Sequence, residues 1–196
     1  MKLHHGIIAF ILILALSIPV SAATTYYFSD GKTCTIPDKF EQLSDNSRGN
    51  RRFLDKSSNI LLVVHSHCNM EKKQYEYYVE NKKRRQTFNE NFINSFITDR
   101  RKNYSSYKLV NYQNFDFNGL YGMKIKGEIK DSDKNWTETN HSFSDNQADS
   151  WINSDYVFFN NKTIYCLTLY CPGDIYYKHE NMLDDMAKSI TMKNID

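Results

Sequence analysis

One stripe of apolar side chains at helical spacing, Phe88, Phe92, Ile93, Phe96 and Ile97, stands in a chain otherwise patterned for β-strands. A stripe of that width needs a flat apolar surface to cover, and a sheet supplies one. Thr87 and Glu90 read as a capping box at the start of this helix, the hydroxyl and the carboxylate each serving a free backbone N–H. Arg100, Arg101 and Lys102 fill the expected last turn, where cations complement the dipole, and Asn103 reads as the cap.

Strand signals lie on both sides of the helix. Residues 24–33 read as a flexible arm, and Cys34 to Leu43 as a short strand and turn. The polar stretch Ser44 to Ser58 reads as a long loop or hairpin. Ile60 to Val64 is a continuous apolar run, the pattern of a strand covered on both faces. Tyr75 to Val79 and Tyr107 to Tyr112 are further strand candidates. Tyr121 to Lys130 alternates apolar and polar with period two. After a hydrophilic stretch, 131–154, Tyr156 to Phe159 turns through Asn160-Asn161 into Thr163 to Tyr170. A second helix then carries Met182, Leu183, Met186 and Ile190 on one face. Strands, helix, strands, helix is the order of an α+β domain with a mainly antiparallel sheet packed by two helices.

The first 23 residues are separate from that domain. Lys2, the apolar run Ile7 to Val20, and the small residues Ser21, Ala22 and Ala23 have the three-part layout of a signal peptide. The expected cut follows Ala22 or Ala23. At about 14 residues, with Pro19 near its end, the run is short of the roughly 20 needed to span a bilayer. Cleavage leaves residues 34–196 as a single domain behind the arm, secreted or periplasmic, with no membrane anchor. Removal of Lys2 takes the net charge from +2 to +1. A chain so close to neutral has no long-range field for nucleic acid.

Export places the cysteines where disulfides persist, so Cys34, Cys68, Cys166 and Cys171 are disulfide candidates. If residues 166–171 are extended, about 3.3 Å per residue separates Cys166 from Cys171 by roughly 16 Å, beyond the reach of a bond. Bonds from the N-terminal half to the last strand, or Cys34–Cys68 with two free thiols, remain open, as do four reduced buried thiols. His65 and His67 would share a face of a strand and could hold zinc or copper with a third ligand. The competing reading is a strand end entering a polar loop. A Cys–His hydrolase drawn from Cys68, Cys166, His141 and His179 has no local motif behind it. No cofactor motif is present.

Two basic clusters, Lys82-Lys83-Arg84-Arg85 and Arg100-Arg101-Lys102, bracket the helix. They could meet phosphate groups or an acidic polymer, but a charge run is usually a solvated face. Asn103, Asn135, Asn140 and Asn161 head Asn-x-Ser/Thr sequons, which matter only in a eukaryotic secretory route.

Several phrases resemble the PsbP-like family, found in a photosystem extrinsic subunit and in DcrB-type bacterial envelope proteins. They are Ile36-Pro-Asp-Lys-Phe40, the helix before Tyr107, and Gly119-Leu-Tyr-Gly122 leading a strand. Ile164-Tyr-Cys-Leu-Thr-Leu-Tyr170, before a terminal helix ending near Ser189-Ile190, completes the set. The resemblance spans residues 34 to 193 and implies an α/β/α sandwich with helices on both sides of an antiparallel sheet. It also implies a non-catalytic binding or assembly role, with no catalytic residues to carry over. The relatives are often lipoproteins, and this chain lacks a cysteine at the expected cut. The expectation is an exported, monomeric, non-catalytic binding or accessory protein with a protein or small-molecule ligand. A small secreted hydrolase, or a metal-binding envelope protein using His65 and His67, are the alternatives.

Overall fold

A computed structural model describes residues 23–28, 32–43, 50–68, 71–117, 120–130, 148–160 and 163–190. Two short strands, β1 (Thr24–Tyr27) and β2 (Thr33–Ile36), form an antiparallel hairpin. The main sheet has seven strands: β3 (Glu41–Gln42), β4 (Arg51–Asp55), β5 (Ile60–Cys68), β6 (Lys108–Phe117), β7 (Leu120–Lys130), β8 (Ser150–Asn160) and β9 (Thr163–Pro172). Their order is β3-β4-β5-β9-β8-β7-β6, antiparallel throughout. Helices α1 (Lys72–Glu80) and α2 (Lys82–Asn103) follow β5, and α3 (Tyr176–Lys188) follows β9.

The two most apolar runs, Ile60–Val64 and Ile164–Tyr170, are central because only a doubly covered strand can bury side chains on both faces. β5 and β9 pair directly, Leu61 opposite Tyr170 and Val64 opposite Leu167. On one face Leu62, Val64, Phe158, Tyr165, Leu167 and Leu169 pack against Leu183, Met186 and the β1–β2 hairpin. On the other, Val157, Phe159 and Ile164 meet Ile93 and the partly buried Phe88, Phe92 and Phe96 of α2. Helices on both sides of an antiparallel sheet make the expected α+β sandwich, with a third helix added.

That third helix is α1, where the aromatic run Tyr75 to Val79 had suggested a strand. Tyr75, Tyr78 and Val79 stand at helical spacing, and Tyr78 is buried against Phe88 and Phe159. The capping box belongs here: Glu71 and Gln74 serve each other's backbone N–H groups. Helix α2 starts at Lys82, where the Asn81 side chain accepts from Arg84 N at 3.1 Å. Thr87, expected as the cap, lies inside the helix and donates to Lys83 O.

The stretch 24–33, expected as a flexible arm, supplies β1 and enters β2. Phe28 meets Tyr165 edge-on at 5.2 Å, and the buried Lys32 Nζ donates to the Tyr165 hydroxyl at 2.8 Å. β8 begins six residues before Tyr156, within the stretch read as hydrophilic. Its residues Asn153, Ser154 and Asp155 are buried, polar though they are.

The β4–β5 turn is held by Asp55, whose Oδ1 accepts from Ser57 N, Ser57 Oγ and Ser58 N. Its Oδ2 pairs with Lys39 Nζ at 2.9 Å. Burial alone would raise this carboxyl, but the Ser57 bonds, the Lys39 ammonium and Ser58 outweigh it and hold the pKa at about 2. A depressed folded-state pKa gives stability that is present above about pH 4 and lost as pH falls towards 2. Denaturant titrations at pH 5 and pH 2 are expected to show the native chain losing up to about 2 kcal/mol more than Asp55→Asn. Parallel losses in the two proteins would remove Asp55 from the acid transition.

Candidate functional site

Helix α2 does not close flat on the sheet. Between it and β5, β8 and β9 lies a cavity of about 330 Å³. Phe92 and Phe96 from the helix, with Val157, Ile164 and Cys166 from the sheet, line an apolar part. His65, Asn50, Asp99, Asn103 and Thr168 contribute hydrogen-bonding groups.

A buried ion pair forms part of the wall. Arg100 Nη2 donates to Asp155 Oδ1 at 2.7 Å, and Thr168 Oγ1 donates to the same oxygen at 2.6 Å. Arg100 Nη1 donates to the Tyr170 hydroxyl at 2.9 Å, and the guanidinium lies 4.9 Å from the centre of the Phe96 ring. Asp155 is 1% exposed. A carboxylate that deep is tolerated only with a charged partner and further hydrogen bonds, and this one has both.

Cys166 faces the cavity beside this pair, directly across from His65 in the β5–β9 register. Burial, with the Asp155 charge adding to it and Arg100 opposing, pushes its thiol up to about 12. At neutral pH Cys166 is a protonated, weakly polar wall group. A nucleophilic cysteine requires the opposite shift.

The other trio members expected from the sequence do not join it. His179 stands on α3, across the sheet, 3.5 Å from Lys39 Nζ. His141 lies outside the described residues, as do the side chains of Cys68 and His67. Among the described residues no group of three His, Cys, Asp or Glu side chains is placed to hold a metal. The expected disulfides are not formed at the described cysteines: Cys34, Cys166 and Cys171 are buried free thiols. Strand alternation puts Cys166 on the α2 face, whereas Cys171 and Cys34 share the cluster on the α3 face. The sheet therefore separates Cys166 from the other two. Residues 1–22 and the sequons at Asn135, Asn140 and Asn161 also lie outside the described residues, and Asn103 lines the cavity.

Both basic clusters are partly structural. Arg100 turns inward to Asp155, Arg101 Nε donates to Tyr107 O, and Lys102 pairs with Asp99. In the first cluster, Arg85 donates to Tyr78 O at 3.0 Å and Val79 O at 2.7 Å. The start of α2 is also the end of α1, so a cation unfavourable to one helix satisfies the last carbonyls of the other.

No protein-family model matches this chain, and no curated protein matches it. Solved structures do. The solution structure of cyanobacterial PsbP from Synechocystis aligns over 90% of this chain and 96% of its own, with 12% identity and a TM-score of 0.57. The yeast Ran-binding protein Mog1p aligns over 87% of this chain and 95% of its own at 8% identity, TM-score 0.49. A Pseudomonas aeruginosa protein of unknown function aligns over 87% and 97% at 9% identity, TM-score 0.45. Among the described residues no helix is long and apolar enough to cross a membrane. At such low identity the likeness to cyanobacterial PsbP is one of architecture, and the chain has the PsbP-like fold.

Proposed function

We propose that this is an exported, non-catalytic binding protein that takes a small, uncharged, partly aromatic molecule into the cavity between α2 and the sheet. The observation that carries this is the cavity itself, about 330 Å³ with Phe92 and Phe96 on one wall and convergent polar groups around it. That is the size and make-up of a small-ligand site. Its ionised groups already have partners: Arg100 serves Asp155 and Tyr170, and Asp99 pairs with Lys102. A charged ligand would have to break one of these pairs, whereas an uncharged one need not.

Thermal melts with millimolar benzyl alcohol, phenol and benzamide test the reading. Binding to the folded state alone raises stability by about 2.7 kcal/mol at 100 times the dissociation constant. The shift is expected for the native chain and not for Ser95→Phe, which fills the cavity from the exposed side of α2. Equal shifts in both proteins, or none in either, would sink the cavity as a binding site. Iodoacetamide separates binding from hydrolysis, since a thiol near 12 is alkylated slowly at pH 7. Rapid labelling of Cys166 would favour the secreted hydrolase.

Export rests on the leader-like N-terminus. Among the described residues the first strand starts at Thr24, paired with Ile36, directly after the expected cut at Ala23. N-terminal sequencing of the expressed protein should begin at Ala23 or Thr24, and a chain still starting at Met1 would count against a cleaved leader.

A further inference from the structure

We propose that the open edge of β6, together with the basic first turn of α2, is a docking site for an extended acidic peptide of a partner protein, added as an eighth strand. Among the described residues β6 is the outermost strand on its side of the sheet, ten residues long, and the opposite edge, β3, has only two. An open edge presents backbone N–H and C=O groups that another strand can pair with. Natural proteins usually blunt such edges with proline, lysine or a bulge. β6 contains no proline, and its irregularity, between Leu109 and Asn111, and its one lysine, Lys108, both lie in its first few residues. From Asn111 to Phe117 the register is regular. Val110 and Tyr112, two of the five most exposed large apolar side chains among the described residues, are both on this strand.

The edge is not flat. A groove of about 480 Å³ runs between β6 and the first turns of α2, lined by Lys82, Gln86, Asn89, Tyr112, Asn114 and Asp116 among others. Side chains of an added strand that point to the α2 face would enter it. Asn89 Nδ2 donates to Asn114 Oδ1 at 2.7 Å, which ties α2 to β6 along the groove.

Charge points to an acidic peptide at one end of the groove. The two carboxylates that line it lie further along, Asp116 4.0 Å from Arg85 and Glu90 accepting from Gln86 Nε2 at 3.1 Å. Lys82, Lys83 and Arg84 are exposed on the first turn of α2, and among the described residues none has an acidic partner. The dipole of α2 opposes them and the C-terminal end of α1 favours them, so the two helix ends largely offset each other at these cations. Acidic side chains on a strand alongside β6 would meet the cations at this end of the groove.

The probes are three fluorescein-labelled ten-residue peptides: alternating Thr and Glu, the same with Lys for Glu, and the Thr–Glu peptide N-methylated at alternate residues. Anisotropy titrations at 50 mM salt are expected to show the acidic peptide bound. The lysine peptide should be at least ten-fold weaker, and N-methylation should cost roughly five-fold per hydrogen bond removed. Hydrogen exchange should show new protection over 111–117. Lys82→Glu with Lys83→Glu, surface changes checked by an unaltered melt, should weaken the acidic peptide at least ten-fold.

Equal binding of the N-methylated peptide would overturn strand addition, leaving only electrostatic attraction. Protection elsewhere, or no binding at all, would also overturn the proposal. Concentration-dependent dimerisation with protection over 111–117 in the absence of peptide would assign the edge to a second copy of this chain instead. The cavity under α2 is separate from this groove, so Ser95→Phe should leave peptide binding unchanged.

Discussion

Replacing Arg100 with alanine is expected to destabilise the protein by about 3–5 kcal/mol, because it strands the Asp155 carboxylate between two central strands without its cation. Asp155 is 1% exposed, and at Oδ1 it would keep the neutral Thr168 hydroxyl in place of a charged donor. The Tyr170 hydroxyl would lose its guanidinium donor in the same step. The loss should depend on pH in a way that lost packing does not. A buried carboxylate deprived of its cation has a raised pKa, so the folded state of the variant holds a proton that the unfolded chain releases. The sign is therefore opposite to that of Asp55: the deficit of Arg100→Ala should shrink as pH falls from 7 towards 5. The double variant Arg100→Met with Asp155→Leu should recover most of the stability, since an apolar pair of similar volume often matches a buried ion pair. Urea melts at pH 7 and pH 5 test all three. A deficit that is the same at both pH values would place the effect in packing rather than charge.

The same pair marks where the sequence could be read and where it could not. The runs Ile60–Val64 and Ile164–Tyr170 announced themselves because apolar side chains on both faces leave few choices but a central strand. The helical stripe Phe88 to Ile97 was as clear, because a 3.6-residue period is specific. Asn153-Ser154-Asp155 was hidden, since a central strand carrying three polar residues looks like a loop. What makes it a strand is distant: Arg100, 55 residues away on α2, and Thr168 and Tyr170 on the neighbouring strand. Arg100 was hidden too, in a basic run whose other members face outward or bind local carbonyls. Cys166 and His65 were each visible, but their juxtaposition depends on strand register, which composition and spacing do not encode. Tyr75 to Val79 was misleading because tyrosine favours strands, whereas the Glu71–Gln74 box and packing of Tyr78 on Phe88 and Phe159 decide for a helix.

Gly122→Ala is expected to be about as damaging, at about 3 kcal/mol or more, for a reason of space. A methyl at Gly122 would be driven into the carbonyl oxygen of Val157, and would lie 2.7 Å from Phe158 Cα and 2.8 Å from the Phe115 ring. Two of those three neighbours are backbone of β8, which is paired on both sides by β7 and β9 and has no free direction to move. Gly127, five residues along the same strand, provides the contrast. A methyl there would strike the ring and hydroxyl of Tyr107, a side chain that a substitution can remove. Gly127→Ala should therefore cost about 1–3 kcal/mol in the native background and under about 1 kcal/mol in Tyr107→Ala. Trimming Phe115 to alanine should give Gly122→Ala no such relief, because the Val157 carbonyl remains in place. Denaturant midpoints for these two cycles separate backbone from side-chain crowding. Rescue of Gly122→Ala by Phe115→Ala would show that β8 can yield. The close approach of β7 to β8 would then no longer explain why glycine stands at 122.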